Sequence, residues 1–264
     1  CTHMLNYRDI IYNNYFSTQV NKLNIDHAAM LHQQARHNQR ELMHLLPQDR
    51  DAKIVDLGCG FGTFVKPAMD AGYSNVSGYD ISQEQVNVAH KLGMKNIYCS
   101  DINDFFDKNE KVDVLVGLDI IEHFTKDELM GFLSKAKKCL NPGGKIILRT
   151  PNMDAPQTSL YAFGDISHET FLNKSSALQV LNSIGFLNTR VYGGLVRNQN
   201  PLLEIIRRIG WWNYVTFRKL ILFCSAFFKR MATLISSSGG SIETVNPQLN
   251  LVLSLSSTPI ISLG

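Results

Sequence analysis

The feature that most constrains the fold is a short apolar run that ends in an acid and is followed by three glycines at alternate positions. It reads Ile54-Val55-Asp56-Leu57-Gly58-Cys59-Gly60-Phe61-Gly62-Thr63. The apolar run predicts a buried β-strand, and the glycines allow a turn in which a ligand lies directly against the backbone. A glycine-rich turn after a buried strand is typical of nucleotide sites, although a glycine triplet alone is a weak signal.

The pattern of strand, strand-end acid and helix repeats along the first 150 residues. Strands are predicted at 54–55, 76–79, 97–99, 112–116 and 145–148, with helices between them. Two capping boxes, Ser82-Gln83-Glu84-Gln85 and Thr125-Lys126-Asp127-Glu128, mark helix starts. Strands that alternate with helices favour an α/β fold with a doubly wound, Rossmann-like and mostly parallel sheet, covered by helices on both faces. We expect seven strands, of which the last is antiparallel.

The chain is predicted to consist of four segments. They are an N-terminal helical lid over 4–50, a ligand-binding core over 51–194, a basic aromatic helical insertion over 195–240, and a C-terminal segment over 241–264 whose strand at Leu249–Leu255 completes the sheet. Within the core we expect a turn at Asn141-Pro142-Gly143-Gly144 and a loop over 151–172.

Composition excludes several classes of protein. Hydrophobic residues make up 44% of the 264 residues and charged residues 19%, which is ordinary for a globular protein. A net charge of +3 is too small to indicate nucleic-acid binding. The five cysteines show neither a C-x-x-C pair nor a zinc spacing, and no apolar run reaches the roughly 18 residues of a membrane span. We therefore expect a cytoplasmic protein with reduced thiols and without a nucleic-acid partner.

The spacing of the glycines discriminates between two kinds of cofactor. A dinucleotide site requires a third glycine at the position that Thr63 occupies here. Asp56 lies two residues before Gly58, so its negative charge would face the ligand. A negative charge at that place suits a cationic ligand rather than a pyrophosphate.

On these residues the chain resembles the class I S-adenosylmethionine-dependent methyltransferases, over about residues 50–192. The stretches similar to the family's motifs are Asp56-Leu57-Gly58-Cys59-Gly60-Phe61-Gly62, Gly78-Tyr79-Asp80-Ile81-Ser82, Ser100-Asp101-Ile102, Leu118-Asp119-Ile120-Ile121-Glu122-His123-Phe124 and Leu140-Asn141-Pro142-Gly143-Gly144. The fourth of these is similar to a branch that includes the ubiquinone-pathway O-methyltransferases. Because the five stretches come in the family's order, they are far more specific together than any one alone.

The resemblance implies S-adenosylmethionine as the cofactor and S-adenosylhomocysteine as its product. It implies that Asp56 serves the ammonium group, Asp80 the ribose hydroxyls and Asp101 the adenine amino group. The full implied cofactor set is Asp56, Gly58, Cys59, Gly60, Gly62, Asp80, Ile81, Gln85, Asp101, Ile102, Leu118, Asp119 and His123. A strand-end acid can instead cap a helix, and this alternative stays open for Asp101. Cys59 is interpreted as a small filler residue rather than a nucleophile.

Two histidines are candidates for the chemistry at the methyl acceptor. An alcohol requires a general base near neutral pH, most often histidine. In similar methyltransferases the position of His123 lies over the cofactor and that of His168 faces the acceptor, so we hypothesise that His168 is the base and His123 orients cofactor or substrate. The alternatives are a packing role for His123 and a loop cap for His168. Candidate substrate residues are Glu122, Asn152 and Asp165, and no metal is predicted, because Asp119, Glu122 and His123 match no standard ligand spacing.

Residues 195–233 differ in composition from the rest. They hold seven basic residues against one acid, a net charge of +6, together with two apolar stripes and the aromatic Trp211, Trp212, Tyr214 and Phe217. This composition is typical of a helix that lies in a membrane interface. The alternatives are a helical pair that covers the acceptor site and a face for a homodimer.

The acceptor is predicted by analogy with bacterial methyltransferases that act on surface polysaccharides or lipid-linked glycans, which share this core, a Thr150-Pro151-Asn152 loop, a late histidine loop and a basic tail. This favours a sugar hydroxyl. The alternatives are a quinone, phenol or amine acceptor, an NAD-dependent sugar oxidoreductase, and a protein that binds S-adenosylmethionine without catalysis.

Overall fold

The computed structural model describes residues 7–13, 26–155, 158–186, 188–192 and 260–263, and most positions between 202 and 224. The chain divides into two compact units. One comprises Cys1–Leu195 together with Leu253–Gly264, and the other comprises Val196–Val252. The N-terminal helices therefore belong to the same unit as the predicted core.

Five parallel strands form the main part of the sheet. They are β1 (Ile54–Leu57), β2 (Val76–Asp80), β3 (Ile97–Cys99), β4 (Val112–Leu118) and β5 (Leu140–Arg149), in the spatial order β3-β2-β1-β4-β5. The predicted Rossmann-like parallel sheet is confirmed. Strand order reverses between β1 and β4, and such a switch point opens a crevice at the carboxyl ends of the strands. The glycines that follow β1 lie at this crevice.

Two further strands continue the sheet beyond β5. They are β6 (Thr189–Tyr192) and β7 (Ile260–Leu263), and β7 is antiparallel to both β5 and β6. The chain thus returns to the sheet at its C-terminal end in the antiparallel sense that the sequence predicted. The predicted position of the last strand, Leu249–Leu255, lies outside the described residues.

Helices cover both faces of the sheet. They are α1 (Tyr7–Asn13), α2 (His27–Leu42), α3 (Val65–Asp70), α4 (Gln83–Lys91), α5 (Ile102–Asp107), α6 (Lys126–Cys139), α7 (Thr158–Ala162) and α8 (Lys174–Ile184), with short 3₁₀ turns at Met43–Leu45 and Ile121–His123. Alternate strand residues point to opposite faces. Ile54 and Val114 pack in a core with residues of α2, α3 and α4, whereas Val55 and Leu115 pack with residues of α5, α6 and α8.

The helix starts follow the predicted capping residues. Thr125 and Glu128 form a reciprocal capping box at α6, and the Ser82 side chain accepts a hydrogen bond from the Gln85 amide at α4. Within the part of the chain that is described, no helix has the length and apolar character that crossing a membrane requires.

Two local predictions need refinement. The turn expected at 141–144 is a bulge inside β5: Leu140 pairs with Val112 and Lys145 with Val114, so four residues lie between two paired positions, and Gly143 takes a left-handed φ of 79°. Asn141 donates a hydrogen bond to Asp113 across this irregularity, 2.7 Å, so the strand continues through the bulge. The loop predicted over 151–172 contains the short helix α7.

Candidate active site

The glycine turn, Gly58–Gly62, forms a cradle without side chains after β1. Gly58, Gly60 and Gly62 have φ values of 72°, 55° and 90°, a left-handed conformation that is costly for other residues. A Cβ added to Gly60 would lie 2.7 Å from Oε1 of Gln85, and one on Gly58 would lie 2.6 Å from Cδ1 of Ile120. The three predicted glycines therefore have both a backbone and a steric reason to be glycine.

The two acids predicted for the cofactor's charged and hydroxyl groups are buried beside the turn. Asp80 accepts hydrogen bonds from the amides of Gly60, 2.7 Å, and Ser82, 2.8 Å. Asp56 is 2% exposed, and its Oδ1 lacks a hydrogen-bond partner among the described residues. Burial, and then the neighbouring charge of Asp80, raises the pKa of Asp56 well above its usual range. A buried acceptor without a donor is unfavourable, and a donor group of a bound ligand would remove that cost.

Asp101 takes the alternative role that the sequence left open. It is the N-cap of α5, and its carboxylate accepts a hydrogen bond from the Asn103 amide, 2.7 Å. Its predicted contact with adenine stays a prediction, as does that of Ile102, the first residue of α5. Ile81, which follows Asp80, is 62% exposed, so its side chain is accessible to a ligand.

Cys59 and Leu118 are buried packing residues at the crevice. Cys59 lies against Gly78, whose added Cβ would come within 2.6 Å of the sulfur. Burial raises the pKa of the Cys59 thiol well above its usual range. A buried, protonated thiol is a poor nucleophile, which agrees with the interpretation of Cys59 as filler.

Asp119 belongs to a polar network that the sequence did not predict. Its two carboxylate oxygens share the Nε–H of Arg149, at 3.1 and 3.0 Å, and Oδ2 also accepts a hydrogen bond from Nη2. Nη1 of Arg149 donates to Oδ1 of Asn38, 2.8 Å. Asn38 in turn donates to the carbonyl of Thr63, 3.1 Å. The network connects α2 and the end of β5 to the glycine turn. Arg149 is the last residue of β5. Its position at a strand end is the sequence signal that could have identified it as a site residue.

The histidine loop, residues 163–171, is hydrogen-bonded through its backbone to the segment that follows β4. The carbonyl oxygen of Glu122 accepts hydrogen bonds from the amides of Glu169, 2.7 Å, and Thr170, 3.0 Å. The Thr170 hydroxyl also donates to the carbonyl of Phe124, 2.6 Å. As a result His123 and His168, 45 positions apart in sequence, have ring centroids only 4.8 Å apart in an edge-to-face arrangement.

A hydrogen bond fixes the proton position on one of the two rings. Nδ1 of His168 donates to the carbonyl of Ala162, 2.9 Å. Since a neutral imidazole has one N–H, this bond assigns the lone pair of His168 to Nε2. The Ser167 hydroxyl lies 2.6 Å from Oδ1 of Asp165 and 2.9 Å from Nδ1 of His123, so it links these two side chains.

The surroundings of the two rings favour neutral groups. Burial, with a smaller contribution from His168, lowers the pKa of His123 to about 4. Burial, and then the charge of Asp119, raises the pKa of Glu122 well above its usual range, and Glu122 is 2% exposed. Near neutral pH the His123 imidazole beside His168 is therefore uncharged.

Glu122, His123 and His168 form a group that could hold a metal ion. Each offers one ligand atom, and these atoms lie within 4.8 Å of one another. Two imidazoles and a carboxylate are suitable ligands for several divalent metals. From the sequence, the metal ligands considered were Asp119, Glu122 and His123, without His168. The prediction that the site binds no metal stays a prediction.

Helix α1 contacts the same rim. Nη2 of Arg8 donates to Oε2 of Glu128, 2.9 Å, and to the carbonyl of His123, 3.3 Å. The hydrogen bond from Arg8 lowers the pKa of Glu128 to about 2. The sequence predicted a helical lid without identifying this anchor, because the two residues are 120 positions apart.

Of the three candidate substrate residues, Asn152 lies apart from the histidines in a cavity of about 210 Å³. The cavity is lined by Thr150, Pro151, Asn152, Asp154, Leu172, Asn173, Lys174, Ala177, Val191 and Tyr192. Asp165 instead supports His123 through Ser167, and Glu122 is buried with a carboxylate oxygen within 4.8 Å of ring nitrogens of both histidines. The structure therefore divides the predicted acceptor residues between two places.

Comparison with known proteins identifies the family. A family described as "methyltransferase domain" matches residues 30–191, more than half of the chain. The chain belongs to this methyltransferase family. The matched range includes part of the predicted lid as well as the core. The match confirms the predicted relation to the class I S-adenosylmethionine-dependent enzymes and, with it, the predicted cofactor.

Curated relatives differ in their acceptors. The methyltransferase is 32% identical over 105 residues to a ubiquinone biosynthesis O-methyltransferase of Bartonella bacilliformis, covering 38% of this chain and 41% of the relative. It is 29% identical over 102 residues to N-terminal Xaa-Pro-Lys N-methyltransferase 2 of Danio rerio, covering 36% and 37%. The chain thus spans about two fifths of the length of these relatives, and they do not define its acceptor.

Solved structures show the same fold. A SAM-dependent methyltransferase from Archaeoglobus fulgidus superposes with a TM-score of 0.58 at 15% identity, over 91% of this chain and all of the other. The magnesium protoporphyrin IX methyltransferase of Synechocystis PCC 6803, solved with bound SAH, gives 0.52 at 19% identity, over 72% and 92%. At such identities the likeness concerns the fold alone.

Proposed function

We propose that the protein methylates a sugar hydroxyl of a surface polysaccharide or lipid-linked glycan, with Nε2 of His168 as the general base. The observation that carries this proposal is the hydrogen bond from Nδ1 of His168 to the carbonyl of Ala162. It leaves the lone pair on Nε2, the nitrogen that can accept a proton from an alcohol.

The residues around the glycine turn fit S-adenosylmethionine. The turn offers a surface without side chains, and Asp56 offers a buried carboxylate oxygen without a donor. When bound, the cofactor supplies an electrophilic methyl group for an in-line displacement. Asp56 would accept hydrogen bonds from its ammonium group, and the accessible side chain of Ile81 would pack against it.

The residues around His168 position the base and exclude competing charges. Asp165 and Ser167 hold the His123 ring through hydrogen bonds, and the Thr170 and Glu169 amides hold the histidine loop. His123, with a pKa of about 4, is neutral near pH 7 and does not repel the proton that His168 receives. The proton from the acceptor hydroxyl therefore goes to Nε2 of His168.

Two features of the unit support a glycan acceptor with an apolar part. The cavity at Asn152 presents amide, carboxylate, ammonium and phenol groups of Asn152, Asp154, Lys174 and Tyr192, the polar partners that sugar hydroxyls require. Leu160, Phe163 and Ile166, shortly before His168 in the sequence, are 65%, 69% and 75% exposed. A polar cavity and exposed apolar side chains suit an acceptor that joins a sugar to a lipid.

The relative from Bartonella favours a second candidate, a phenolic acceptor, because its printed activity is an O-methylation in ubiquinone biosynthesis. A phenol is far more acidic than an alcohol and depends less on a general base. The strength of the dependence on His168 therefore discriminates between the two candidates.

Replacing His168 tests the proposal. For His168→Ala we expect kcat with a lipid-linked sugar acceptor to fall by about a hundredfold or more, with unchanged affinity for S-adenosylmethionine in calorimetry. His32→Ala, a change of an exposed histidine on α2, is the matched control. A near-wild-type rate would remove His168 as the base, and turnover of phenols with none of sugars would identify the second candidate.

A further inference from the structure

The second unit carries an apolar helical surface that is exposed. The described residues between 202 and 224 are helical, and all but Tyr214 and Val215 are exposed. Among the most exposed large apolar side chains of the chain are Leu202 at 66%, Trp212 at 68% and Phe223 at 69%. Exposed apolar surface of this extent is typical of a binding surface rather than of a free monomer surface.

Most of the exposed apolar residues fall on one side when the described positions are placed on a helical wheel. At about 100° per residue, one half of the circumference receives the residues that we call the apolar stripe, Leu202, Ile205, Ile206, Ile209, Trp212, Phe217, Leu220 and Phe223. The other half receives Arg208 and Lys219, together with the apolar Trp211 and Ile221. The segment 195–233 that contains the stripe has a net charge of +6.

We propose that the apolar stripe docks the protein onto an anionic lipid surface, with the helix lying in the plane of the membrane interface. Such helices combine an apolar face, basic flanks and aromatic anchors, and the apolar stripe includes the aromatic Trp212, Phe217 and Phe223. The basic residues are attracted by the lipid headgroups, while the apolar stripe enters the boundary with the acyl chains.

Charge favours lipid over a second copy of the chain. In a two-fold interface the same patch faces itself, so two segments of charge +6 would be brought together. Like charges across an interface are unfavourable. An anionic bilayer is complementary to the charge and to the apolar stripe at once, and docking on it is independent of which acceptor the active site uses.

Vesicle sedimentation tests the proposal. We expect the wild-type protein to pellet with vesicles of phosphatidylglycerol and phosphatidylcholine, and about tenfold more weakly with phosphatidylcholine alone. Ile205→Asp/Ile209→Asp places two charges on the apolar stripe and lowers the partition coefficient by more than tenfold. Arg208→Glu/Lys219→Glu lowers it by about tenfold, and so does high salt, because exposed charges are screened.

A matched control separates docking from misfolding. Met69→Asp changes an exposed apolar residue of the other unit (41% exposed) in the same way, and it should pellet like the wild type. Both aspartate variants should retain affinity for S-adenosylmethionine in calorimetry. The proposal is overturned if the wild type stays in the supernatant with anionic vesicles, or if the double aspartate variant pellets as well as the wild type. A wild-type dimer in sedimentation velocity that the double aspartate variant dissociates, without vesicle binding, would assign the apolar stripe to a second copy instead.

Discussion

The glycine turn and the histidine loop both follow strands of the parallel sheet, but they are held in place by different interactions. The glycine turn spans five residues and is bonded to the next strand, through Tyr79 and Asp80. The histidine loop depends on hydrogen bonds to Glu122 and Phe124, more than 40 positions earlier in the chain. The proposed donor side, at the glycine turn, is thus bonded to a neighbouring strand, and the proposed acceptor side, at the histidine loop, is held by more distant segments.

This difference explains which changes each side tolerates. In the glycine turn the constraint is on the backbone, because left-handed φ values and close neighbours exclude side chains. In the histidine loop the constraint is on hydrogen-bond partners and on the protonation of buried groups. Changes of pH, of a glycine in the turn, of a hydroxyl group in the loop and of metal content should therefore affect the two sides differently.

The largest expected effect is that of pH on the histidine side. The pKa of His123 is lowered from 6.5 to about 4 in the folded state, so between these values the unfolded state binds the additional proton. The contribution of this residue should therefore lower the free energy of unfolding by about 3 kcal/mol between pH 7 and pH 4.

Urea denaturation of the wild type and of His123→Gln at several pH values measures this contribution as a difference. His32→Gln on α2 is the control. The opposite shift of the buried Asp56 is common to all three proteins and cancels in the difference. Parallel pH profiles for the wild type and His123→Gln would contradict the lowered pKa.

The next effect concerns the backbone of the glycine turn. Gly60→Ala places a Cβ in the cradle at φ 55°, and backbone strain of about 1–3 kcal/mol should weaken binding of S-adenosylmethionine by roughly thirtyfold in calorimetry. Gly72→Ala is matched, since Gly72 has a φ of 91° but no atom within 4 Å of an added Cβ. It should lower stability without changing affinity, and equal affinity losses in the two variants would show that the cradle is not the binding surface.

A smaller effect is expected for the hydroxyl that supports His123. Ser167→Ala removes the hydroxyl that is hydrogen-bonded to Nδ1 of His123. A hydrogen bond between neutral groups contributes about 1 kcal/mol, so its loss should lower kcat by about tenfold. KM for S-adenosylmethionine should stay the same in steady-state assays. Ser183→Ala, which removes a hydroxyl bonded to the Gln179 carbonyl on α8, should leave both constants unchanged. A change in KM alone would assign Ser167 to the donor side.

The smallest expected effect is that of metal removal. Although Glu122, His123 and His168 could hold an ion, we expect dialysis against a chelator to leave methyl transfer unchanged, because the proposed reaction uses Nε2 of His168 as a base. Loss of activity that Mg²⁺ or Zn²⁺ restores would contradict the base assignment and the prediction of a site without metal.

The sequence predicted the donor side well because its signals are local. Glycines at alternate positions, strand-end acids and capping residues each report on neighbours within a few positions, and the structure has β1, β2 and the Thr125 cap where they were expected. Asp101 shows the limit of such signals, because an acid at a helix start is equally suited to capping.

The acceptor side was predicted only in part because its contacts join distant residues. His123 and His168 were identified, but Ser167 and Arg8 were not, since their partners lie 44 and 120 positions away. On the donor side Arg149 and Asn38 were missed for the same reason, because they lie 111 positions apart. The Asn-Pro-Gly-Gly stretch was predicted as a turn before the fifth strand, whereas it forms a bulge inside β5. Here the bond from Asn141 to Asp113 stabilises an irregular strand instead.

The attachment of the histidine loop has a consequence for how new specificities can arise. The loop is joined to the rest of the unit mainly by main-chain carbonyls of Glu122 and Phe124, and these groups are present whatever the side chains are. Residues 151–172 can therefore be replaced as one segment without loss of these main-chain hydrogen-bond acceptors. A chimera that receives the corresponding segment of another family member, with a threonine kept at position 170, should acquire a new acceptor while its donor half stays as it is.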